Sequence, residues 1–311
     1  MKLNHLFTLA RTCRVILIAT LALFSAGALK AANFFDNTIN GIDLGNASGG
    51  GNFVGTGHKN WAIFALSGGV TITDPTLDGS FDVLGNVGIG GNGVLTMTAS
   101  RIQGDINREN GGQTLSGGAN YTGYTSTVGG ANGSYVNTGV TNAGTASGIA
   151  GGLGNATGVG ANALVFTGAY TSAPTSVSLN NAGTNISGAA GQTYVLNLTD
   201  LILSGATSIL TLSGTSTTNY VINVSRYMSL SSQAQIALSG GIGQNNVLFN
   251  VKNNNPSYDV TLSGASVVNG IILAPSRNVK LTGASVVYGE VIAKGVSLSG
   301  RSKVINPYIS P

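Results

Sequence analysis

The chain has 311 residues, of which only 8% are charged, and it contains 48 glycines but only 6 prolines. Glycine follows no period of three, which excludes a collagen triple helix, and the many Val, Ile and Leu residues argue against intrinsic disorder. A weakly charged chain rich in Gly, Ser, Thr and Asn, with alternating β-branched residues, is typical of repetitive β-structure.

Residues 1–32 have the features of a secretory signal peptide. A basic start precedes an apolar run at 15–24, and small residues continue to Ala32. The run is too short to cross a bilayer comfortably, which needs about 20 residues, so we expect no transmembrane segment once the leader is removed. Cleavage after Ala28 fits the small-x-small rule best. Cleavage after Ala31 or Ala32, or retention of the leader as an anchor, are the alternatives.

Removal of the leader changes the charge of the chain. Lys2, Arg11, Arg14 and Lys30 leave with it, so the 14 Lys and Arg residues fall to ten, which equals the number of acidic residues. The neutral remainder predicts no general attraction to nucleic acid or anionic membranes. The one cysteine, Cys13, also lies in the leader, so the mature chain has no thiol for a disulfide, a metal site or a nucleophile.

The stretch that follows the leader, residues 33–110, is mildly acidic and carries alternating apolar segments from Trp61 onward. We predict that residues 33–60 form an N-terminal capping segment, because the open ends of a stacked β-structure need cover. Residues 99–106 follow the same pattern as residues 284–291 near the other end of the chain. The shared pattern favours one continuous solenoid over two unrelated domains.

The middle of the chain, residues 110–168, is dense in Gly, Asn, Thr, Ser and Ala. Glycine weakens both helices and strands, so we expect this to be the least regular part, and a second candidate for covering material. Ala143, Ala146, Ala150 and Leu153 have helical spacing and predict one short flanking helix.

The C-terminal part contains three copies of one pattern, Val-x-Leu-x-Gly-x-Ser-x-Val, which begin at Val260, Val279 and Val296. The leucines of successive copies are 19 and then 17 residues apart. Apolar residues at every second position indicate strands, and a turn-rich repeat of this length suits one coil of a parallel β-solenoid. We therefore predict an all-β fold, a parallel β-solenoid (β-helix), with a single domain at 61–306 and a tail at 307–311.

Three segments resemble known bacterial families: residues 246–250 (Asn-Val-Leu-Phe-Asn), 268–275 (Val-Asn-Gly-Ile-Ile-Leu-Ala-Pro) and 287–293 (Val-Tyr-Gly-Glu-Val-Ile-Ala). They resemble the β-helical domain of the choice-of-anchor A family, surface adhesins with a link to collagen binding. The Gly-x-[Ile/Val]-[Leu/Ile]-Ala spacing is also similar to that of ice-binding-protein-like β-solenoids. The resemblance is good over 194–306 and loose over 60–306. It implies an extracellular partner: a matrix protein, a glycan or a cell-surface polymer.

The chain departs from the first family at its C-terminus. Members of that family usually end in a sorting or anchoring tail, whereas this sequence ends at Ile309-Ser310-Pro311. We therefore expect a secreted protein, or a cell-surface protein that is not anchored through its C-terminus.

Candidate catalytic and metal-binding groups are sparse. His58 is the only histidine after the leader, and a lone general base lacks an orienting partner. Asp74, Asp78 and Asp82 are separated by Pro75 and a glycine, which favours capping of turns over a metal site. Asp105 completes the group that would have to converge in an enzyme. We predict no catalytic residues, no metal or cofactor site and no enzymatic activity.

Five basic residues of the C-terminal part could form a stripe for an anionic polymer, or could simply keep edge-prone strands soluble. They are Arg277, Lys280, Lys294, Arg301 and Lys303. We favour the second interpretation.

Ice binding is the alternative function. It needs a flat face with aligned Thr or similar small groups on several coils, and residues 71–73, 96–98 and 215–217 have the local Thr/Ser form. These segments do not recur at coil spacing, and the C-terminal copies carry Ser-x-Val at the place that we align with them. The sequence thus predicts a secreted or cell-surface, non-enzymatic solenoid with an adhesive or structural role, with ice binding second.

Overall fold

The computed structural model describes residues 61–74, 80–122, 125–127, 147, 150, 164–252, 255 and 257–306, with the backbone alone at 125–127. Almost all of these residues lie in β-strands or in the turns between them. The strands in chain order are β1 Trp61–Ala65, β2 Val70–Thr73, β3 Val83–Leu84, β4 Asn86–Ile89, β5 Leu95–Thr98, β6 Arg101–Gln103, β7 Ile106–Arg108, β8 Gln113–Ser116, β9 Asn120–Tyr121, β10 Thr125–Thr127, β11 Val165–Gly168, β12 Val177–Asn180, β13 Gly183–Ser187, β14 Thr193–Leu198, β15 Leu201–Ser204, β16 Ile209–Ser213, β17 Asn219–Val224, β18 Met228–Leu230, β19 Gln235–Ser239, β20 Val247–Val251, β21 Val260–Leu262, β22 Val267–Asn269, β23 Ile271–Leu281, β24 Val286–Tyr288, β25 Val291–Ser299 and β26 Lys303–Ile305. One 3-10 turn, Gln244–Asn246, precedes β20.

Within the described part of the chain the strands form a 16-stranded and a 10-stranded sheet, which wrap into a solenoid with three faces. Face a contains, in spatial order, β14, β17, β20, the first part of β23, the first part of β25, β1, β4, β7 and β10. Face b contains β12, β15, β18, β21, the second parts of β23 and β25, β2, β5 and β8. Face c is the 10-stranded sheet. Each coil of the chain runs from face a through face b to face c.

The C-terminal repeats stack in the predicted register. Leu262 pairs with Leu281, and Leu281 pairs with Leu298, through parallel strands on face b. The first residues of the three copies, Val260, Val279 and Val296, align in the same way. These side chains point inward and are almost completely buried, so an apolar column runs through the stack. The prediction of a parallel β-solenoid is confirmed.

The coils are not stacked in the order of the sequence. The last coil, β25–β26, lies directly on the first coil, β1–β3, through parallel pairing on all three faces. The N-terminal coils continue away from this junction towards β10. The second part of the chain starts at the opposite end and runs back to the junction. Two parts of the chain therefore build one stack, an arrangement that the repeat did not predict.

Face a is covered on its outer side, whereas face b is open. Strands on face a are continuous apolar runs such as Trp61–Ala65, and all five residues of β1 are buried. Strands buried on both sides are expected to read this way, because neither side faces water. Part of the cover comes from the middle of the chain. The Ser147 hydroxyl donates to the Asn250 side chain at 2.7 Å, and Asn223 Nδ2 donates to the Ala150 carbonyl at 3.0 Å.

The middle of the chain contains more strand than its composition suggests. Strands β8, β9 and β10 occupy part of the range 110–168, and β11 lies at its end. Of the residues that predict a short helix, Ala150 is helical and buried. The other three lie outside the described residues, as do the leader, the capping segment 33–60 and the tail 307–311.

Sharp corners separate face b from face c. Gly264, Gly283 and Gly300 each have φ of 63° at these corners, a left-handed conformation that glycine adopts at little cost. A buried serine follows two residues later in each copy, and the hydroxyls of Ser285 and Ser302 donate to the carbonyl three residues before them at 2.8 Å. The spacing shared by the three copies therefore places the glycine in the turn and the serine inside the corner.

The stack is closed at the β12 end. Strand β11 pairs antiparallel with β13 there, unlike the parallel pairs in the rest of the stack that the structure describes. The Tyr170 hydroxyl accepts the Ser178 N–H at 2.7 Å and donates to the carbonyl of the same residue at 3.2 Å. An edge strand exposes unpaired N–H and C=O groups, and Tyr170 satisfies two of them on β12.

Candidate binding face

The candidate site is the outer side of face b, where small hydroxyl side chains form two columns across the coils. Column one contains Ser178, Ile202, Ser229, Thr261, Lys280, Ser297, Thr71, Thr96 and Thr114. Column two lies two residues further along each strand and contains Asn180, Ser204, Ser231, Ser263, Thr282, Ser299, Thr73, Thr98 and Ser116. All of these residues are half-buried or exposed.

The columns cross the junction between the two parts of the chain without a shift. Ser297 and Ser299 of the last coil pair with Thr71 and Thr73 of the first coil. Thr73 in turn pairs with Thr98 in β5, and the same register continues into β8. The stacking of the last coil on the first therefore joins two sets of hydroxyls into one surface.

The geometry of a parallel sheet makes this surface regular. Neighbouring strands are about 4.8 Å apart, and residues two positions apart on one strand are separated by about 6.6 Å. Threonine is β-branched and has a restricted χ1, so its hydroxyl and methyl groups keep fixed positions. Some hydroxyls are further held by their neighbours. Ser229 and Thr261 share a hydrogen bond of 2.9 Å, and Thr98 and Ser116 share one of 3.1 Å.

Two residues interrupt column one, whereas column two has a hydroxyl at every position after Asn180. Ile202 is an aliphatic interruption near the closed end. Lys280 is the only charged residue of either column, and its side chain is 51% exposed. Its Nζ lies 2.7 Å from Asp259 Oδ2. A long ammonium side chain thus projects from the middle of an otherwise small, uncharged surface.

A charged border lies beside column one, formed by residues immediately before strands β15, β18 and β21: Asp200, Arg226, Tyr227, Tyr258 and Asp259. The Arg226 guanidinium donates two hydrogen bonds to Asp200, of 2.8 and 2.5 Å, and these bonds lower the pKa of the carboxyl. The rings of Tyr227 and Tyr258 meet edge to face at 4.5 Å between centroids. The border is therefore an internally bonded cluster.

Arg277 lies beneath this border rather than on the surface. It is 1% exposed, and burial lowers the pKa of its guanidinium. The guanidinium donates to the carbonyls of Tyr258, at 2.7 Å, of Ser225, at 3.3 Å, and of Arg226. Arg277 therefore connects the corners of three successive coils.

The five basic residues do not form a stripe on one surface, which is the interpretation that the sequence disfavoured. Arg277 is buried, Lys280 is on face b, and Lys294 is exposed between the two parts of β25 that lie on faces a and b. Arg301 is in the corner after face b, and Lys303 begins β26 on face c, where its Nζ donates to the Ser80 hydroxyl at 2.8 Å. The spacing along the sequence did not reveal that a coil distributes these residues over different faces.

The residues that an enzyme would need are only partly described. His58 and Asp78 lie outside the described residues. Asp74 and Asp82 are buried, and Asp82 Oδ2 accepts the Arg101 N–H of the neighbouring coil at 2.8 Å. Asp105 donates its N–H to the Asn86 side chain at 3.0 Å. Among the described residues, no group of three or more His, Cys, Asp or Glu side chains could hold a metal ion.

The expected alignment of the Ser-x-Val part of each C-terminal copy with the Thr segments, which counted against a hydroxyl ladder, was wrong. Residues 71–73 and 96–98 are in register with each other and with 297–299 of the C-terminal repeat. The Ser-x-Val part of each copy instead forms the corner and face c, where Ser285 is buried. The residues on either side of the repeated leucine carry the signal, because they are the outward neighbours of an inward side chain. Residues 215–217 lie in a turn after β16 and do not belong to face b.

Comparisons with known proteins place this geometry in a family. A family model described as "Putative Ice-binding-like adhesive domain" matches residues 45–304. A glycosylated ice-binding protein from an Arctic yeast has a similar structure, with a TM-score of 0.53, 20% identity, and coverage of 81% of this chain and 93% of that one. Ice-binding protein 1 of Shewanella frigidimarina has a TM-score of 0.50 and 13% identity, over 80% of this chain and 95% of that one. No curated protein matches the sequence.

At these identities the two structures show that the fold is shared, and they carry no information on function.

In the parts of the chain that are described, no helix has the length and hydrophobicity to cross a membrane.

Proposed function

Because the chain belongs to the family of ice-binding-like adhesive domains, we propose that it adheres to ice through the outer side of face b. The two hydroxyl columns carry this proposal. They form a regular array on a rigid sheet, and a crystalline surface is a ligand that repeats in the same way.

The chemistry of the columns fits a surface of ordered water. Hydroxyls can take part in a water lattice as donors and acceptors, and the threonine methyl groups next to them do not compete for water. Apart from Lys280, no residue of either column is charged, so contact with a solid would not require a charge to lose its hydration. The patch formed by β25, β2, β5 and β8 is the longest part of column one without an interruption.

The proposal includes export and the absence of catalysis. Residues 1–32 have the composition of a signal peptide, and ice outside the cell is accessible only to an exported or surface protein. The family model and the similar structures carry descriptions of adhesion and ice binding rather than of a reaction.

The test compares the same substitution on two faces. Thr96→Lys places a long charged side chain at the centre of the patch, and Thr211→Lys places it on face c at a residue of similar half-burial. We expect Thr96→Lys to lower partition into slowly grown ice by about tenfold or more. Thr211→Lys should partition like the unchanged chain. Equal partition of both variants, or no partition of the unchanged chain, would count against ice as the ligand.

A second candidate function is adhesion to a polymer, namely an extracellular matrix protein, a glycan or a cell-surface polymer. The charged border favours it, because Tyr and Arg side chains are common where proteins bind partners tightly, and Tyr227 is 37% exposed there. Solid-phase binding to collagen and to polysaccharide-coated surfaces tests it. Binding that is lost in Tyr227→Ala but kept in Thr96→Lys would favour this function over ice adhesion.

A further inference from the structure

We propose that Lys280 determines the extent of the binding face: it divides face b and restricts ice contact to the patch of β25, β2, β5 and β8. This inference rests on the proposed function and identifies the residue that limits it. It predicts that removal of one side chain enlarges the ice-binding surface.

The position of Lys280 in the register is the first argument. It lies between Thr261 of β21 and Ser297 of β25 in column one. On one side of it the column holds Thr261 and Ser229, and on the other side it holds Ser297 and then three threonines. A small hydroxyl residue at 280 would join these two runs from β18 to β8.

The size and hydration of the side chain are the second argument. Lys280 is 51% exposed, and its flexible stem carries a compact, strongly hydrated ammonium group. A flat solid cannot approach both runs closely while this group stays in water. Burial of the ammonium against ice would instead cost its hydration, which the ion pair with Asp259 replaces only in part.

The local structure does not depend on Lys280, which is the third argument. Its partner Asp259 also accepts the Asn278 N–H at 3.3 Å, so the carboxylate keeps a hydrogen bond without the lysine. The other coils hold β-structure at this position with Ser, Thr or Ile. Because the fold does not require a lysine here, we expect replacement of Lys280 to change what face b can contact rather than the stability of the solenoid.

The size of the effect follows from joining two sites on one rigid body. Once the patch is bound, the run from Ser229 to Thr261 would meet the same surface as part of a single event. We expect at least about tenfold tighter adsorption to ice, a conservative value for a second site held at high effective concentration.

The experiment compares Lys280→Thr with Lys294→Thr in the full chain. Lys294 is also exposed, but it lies between faces a and b and outside both columns. The two variants lose the same charge, and they differ in column position and in the ion pair that Lys280 forms with Asp259. Ice adsorption is measured by partition into ice and by the protein concentration that halves ice recrystallisation. Lys280→Ser provides a second replacement, in case the threonine variant folds poorly.

We expect Lys280→Thr and Lys280→Ser to act at about one tenth of the concentration that the unchanged chain needs, with Lys294→Thr unchanged. If the unchanged chain binds ice and loses binding in Thr96→Lys, but Lys280→Thr has no gain, the inference is overturned and the proposed function stands. An equal gain in Lys280→Thr and Lys294→Thr would also overturn it, because net charge would then be the cause. If no variant binds ice, the proposed function itself fails.

Discussion

Faces a and b share two strands and the same inner column, yet their outer sides differ completely. In β23 the residues Ile271–Ala274 on face a are all buried, whereas on face b Val279 and Leu281 are buried and Lys280 between them is exposed. The same contrast separates β17, which is almost fully buried, from β2, which alternates. The backbone geometry is common to both faces, so the outward side chains alone decide whether a sheet is covered or open.

Faces a and b also differ in whether their outward polar side chains are paired within the protein or open to solvent. On face a, the side chains of Asn197, Asn223 and Asn250 form a ladder, with hydrogen bonds of 2.9 and 2.7 Å between neighbours. Asn223 and Asn250 are buried, and the described residues of the middle segment complete their bonding. On face b the hydroxyls remain open to solvent. A covered face needs every polar group paired, whereas an open face can keep them for a ligand.

The largest predicted effect comes from a substitution in the apolar column, which supports the inner sides of both faces. Leu281→Asp places a carboxylate in the apolar column, where the structure shows only aliphatic neighbours in register. We expect a loss of about 5 kcal/mol or more, comparable with the stability of a whole domain, so the solenoid should unfold. Circular dichroism and thermal melting measure this.

Ser297→Asp is the matched control, since it adds the same carboxylate on the outer side of the neighbouring coil. It should change stability by less than about 0.5 kcal/mol. Similar melting of the two variants would contradict the inward placement of Leu281.

The next largest effect should appear on face a. Asn223→Leu removes the donor to Asn197 and the Ala150 carbonyl, as well as the acceptor for Asn250. Buried partners that lose their hydrogen bonds cost about 1–3 kcal/mol, and we expect about 2–3 kcal/mol here. Thr96→Val, a similar exchange on the open face b, should cost less than about 0.5 kcal/mol. Urea unfolding of both variants gives the comparison, and equal losses would mean that face a is not covered as described.

A smaller effect is expected at the corner that ends face b. Gly283 has φ of 63°, and a Cβ there would approach the Gly264 nitrogen to 3.1 Å. Gly283→Ala should therefore cost about 1–2 kcal/mol, the usual penalty for a left-handed residue with a side chain. The next residue, Ala284, already has φ of 65°, so Ala284→Gly should be close to neutral. Differential scanning calorimetry resolves the two, and no loss in Gly283→Ala would show that the corner can relax.

The smallest effect concerns pH and the charged border of face b. Hydrogen bonds from Arg226 lower the pKa of Asp200 below its ordinary value of 3.8. A carboxyl with a lowered folded-state pKa stabilises the fold above the unfolded pKa, and this contribution is lost as the pH falls through the folded value. Melting temperatures between pH 6 and pH 2 should therefore fall less in Asp200→Asn than in the unchanged chain. Parallel curves would show that the pair adds nothing to stability.

The sequence predicted those features of the fold that follow from the spacing of residues along a single strand. The Val-x-Leu spacing identified the inward residues Leu262, Leu281 and Leu298, because alternation decides which side of a strand is buried. The glycine corners are local features as well, since a sharp turn favours a left-handed glycine at Gly264 and its equivalents.

Features that depend on which coils meet in space could not be predicted in this way. The pairing of Thr73 with Ser299 joins residues that are far apart in the chain, and no local pattern reports it. The hydroxyl columns were missed because the Ser-x-Val part of the repeat, which forms the corner and face c, was aligned with the Thr segments of face b. The burial of Arg277 was missed as well, because its partners are carbonyl groups of other coils. Covering material was predicted for the open ends of the stack, whereas the described residues Ser147 and Ala150 bond to the outer side of face a.

The central claim is that the last coil stacks on the first, so that one hydroxyl face is built from both parts of the chain. A cysteine pair tests it most directly: Thr73→Cys with Ser299→Cys, in a chain whose only native cysteine is replaced through Cys13→Ser. Register partners on neighbouring strands are about 4.8 Å apart, within the Cα separation of a disulfide. Oxidation should cross-link this pair, as seen by non-reducing electrophoresis and mass spectrometry, and should leave Thr73→Cys with Ser263→Cys unlinked. Free thiols in the first pair after oxidation, or equal cross-linking of both pairs, would contradict the account.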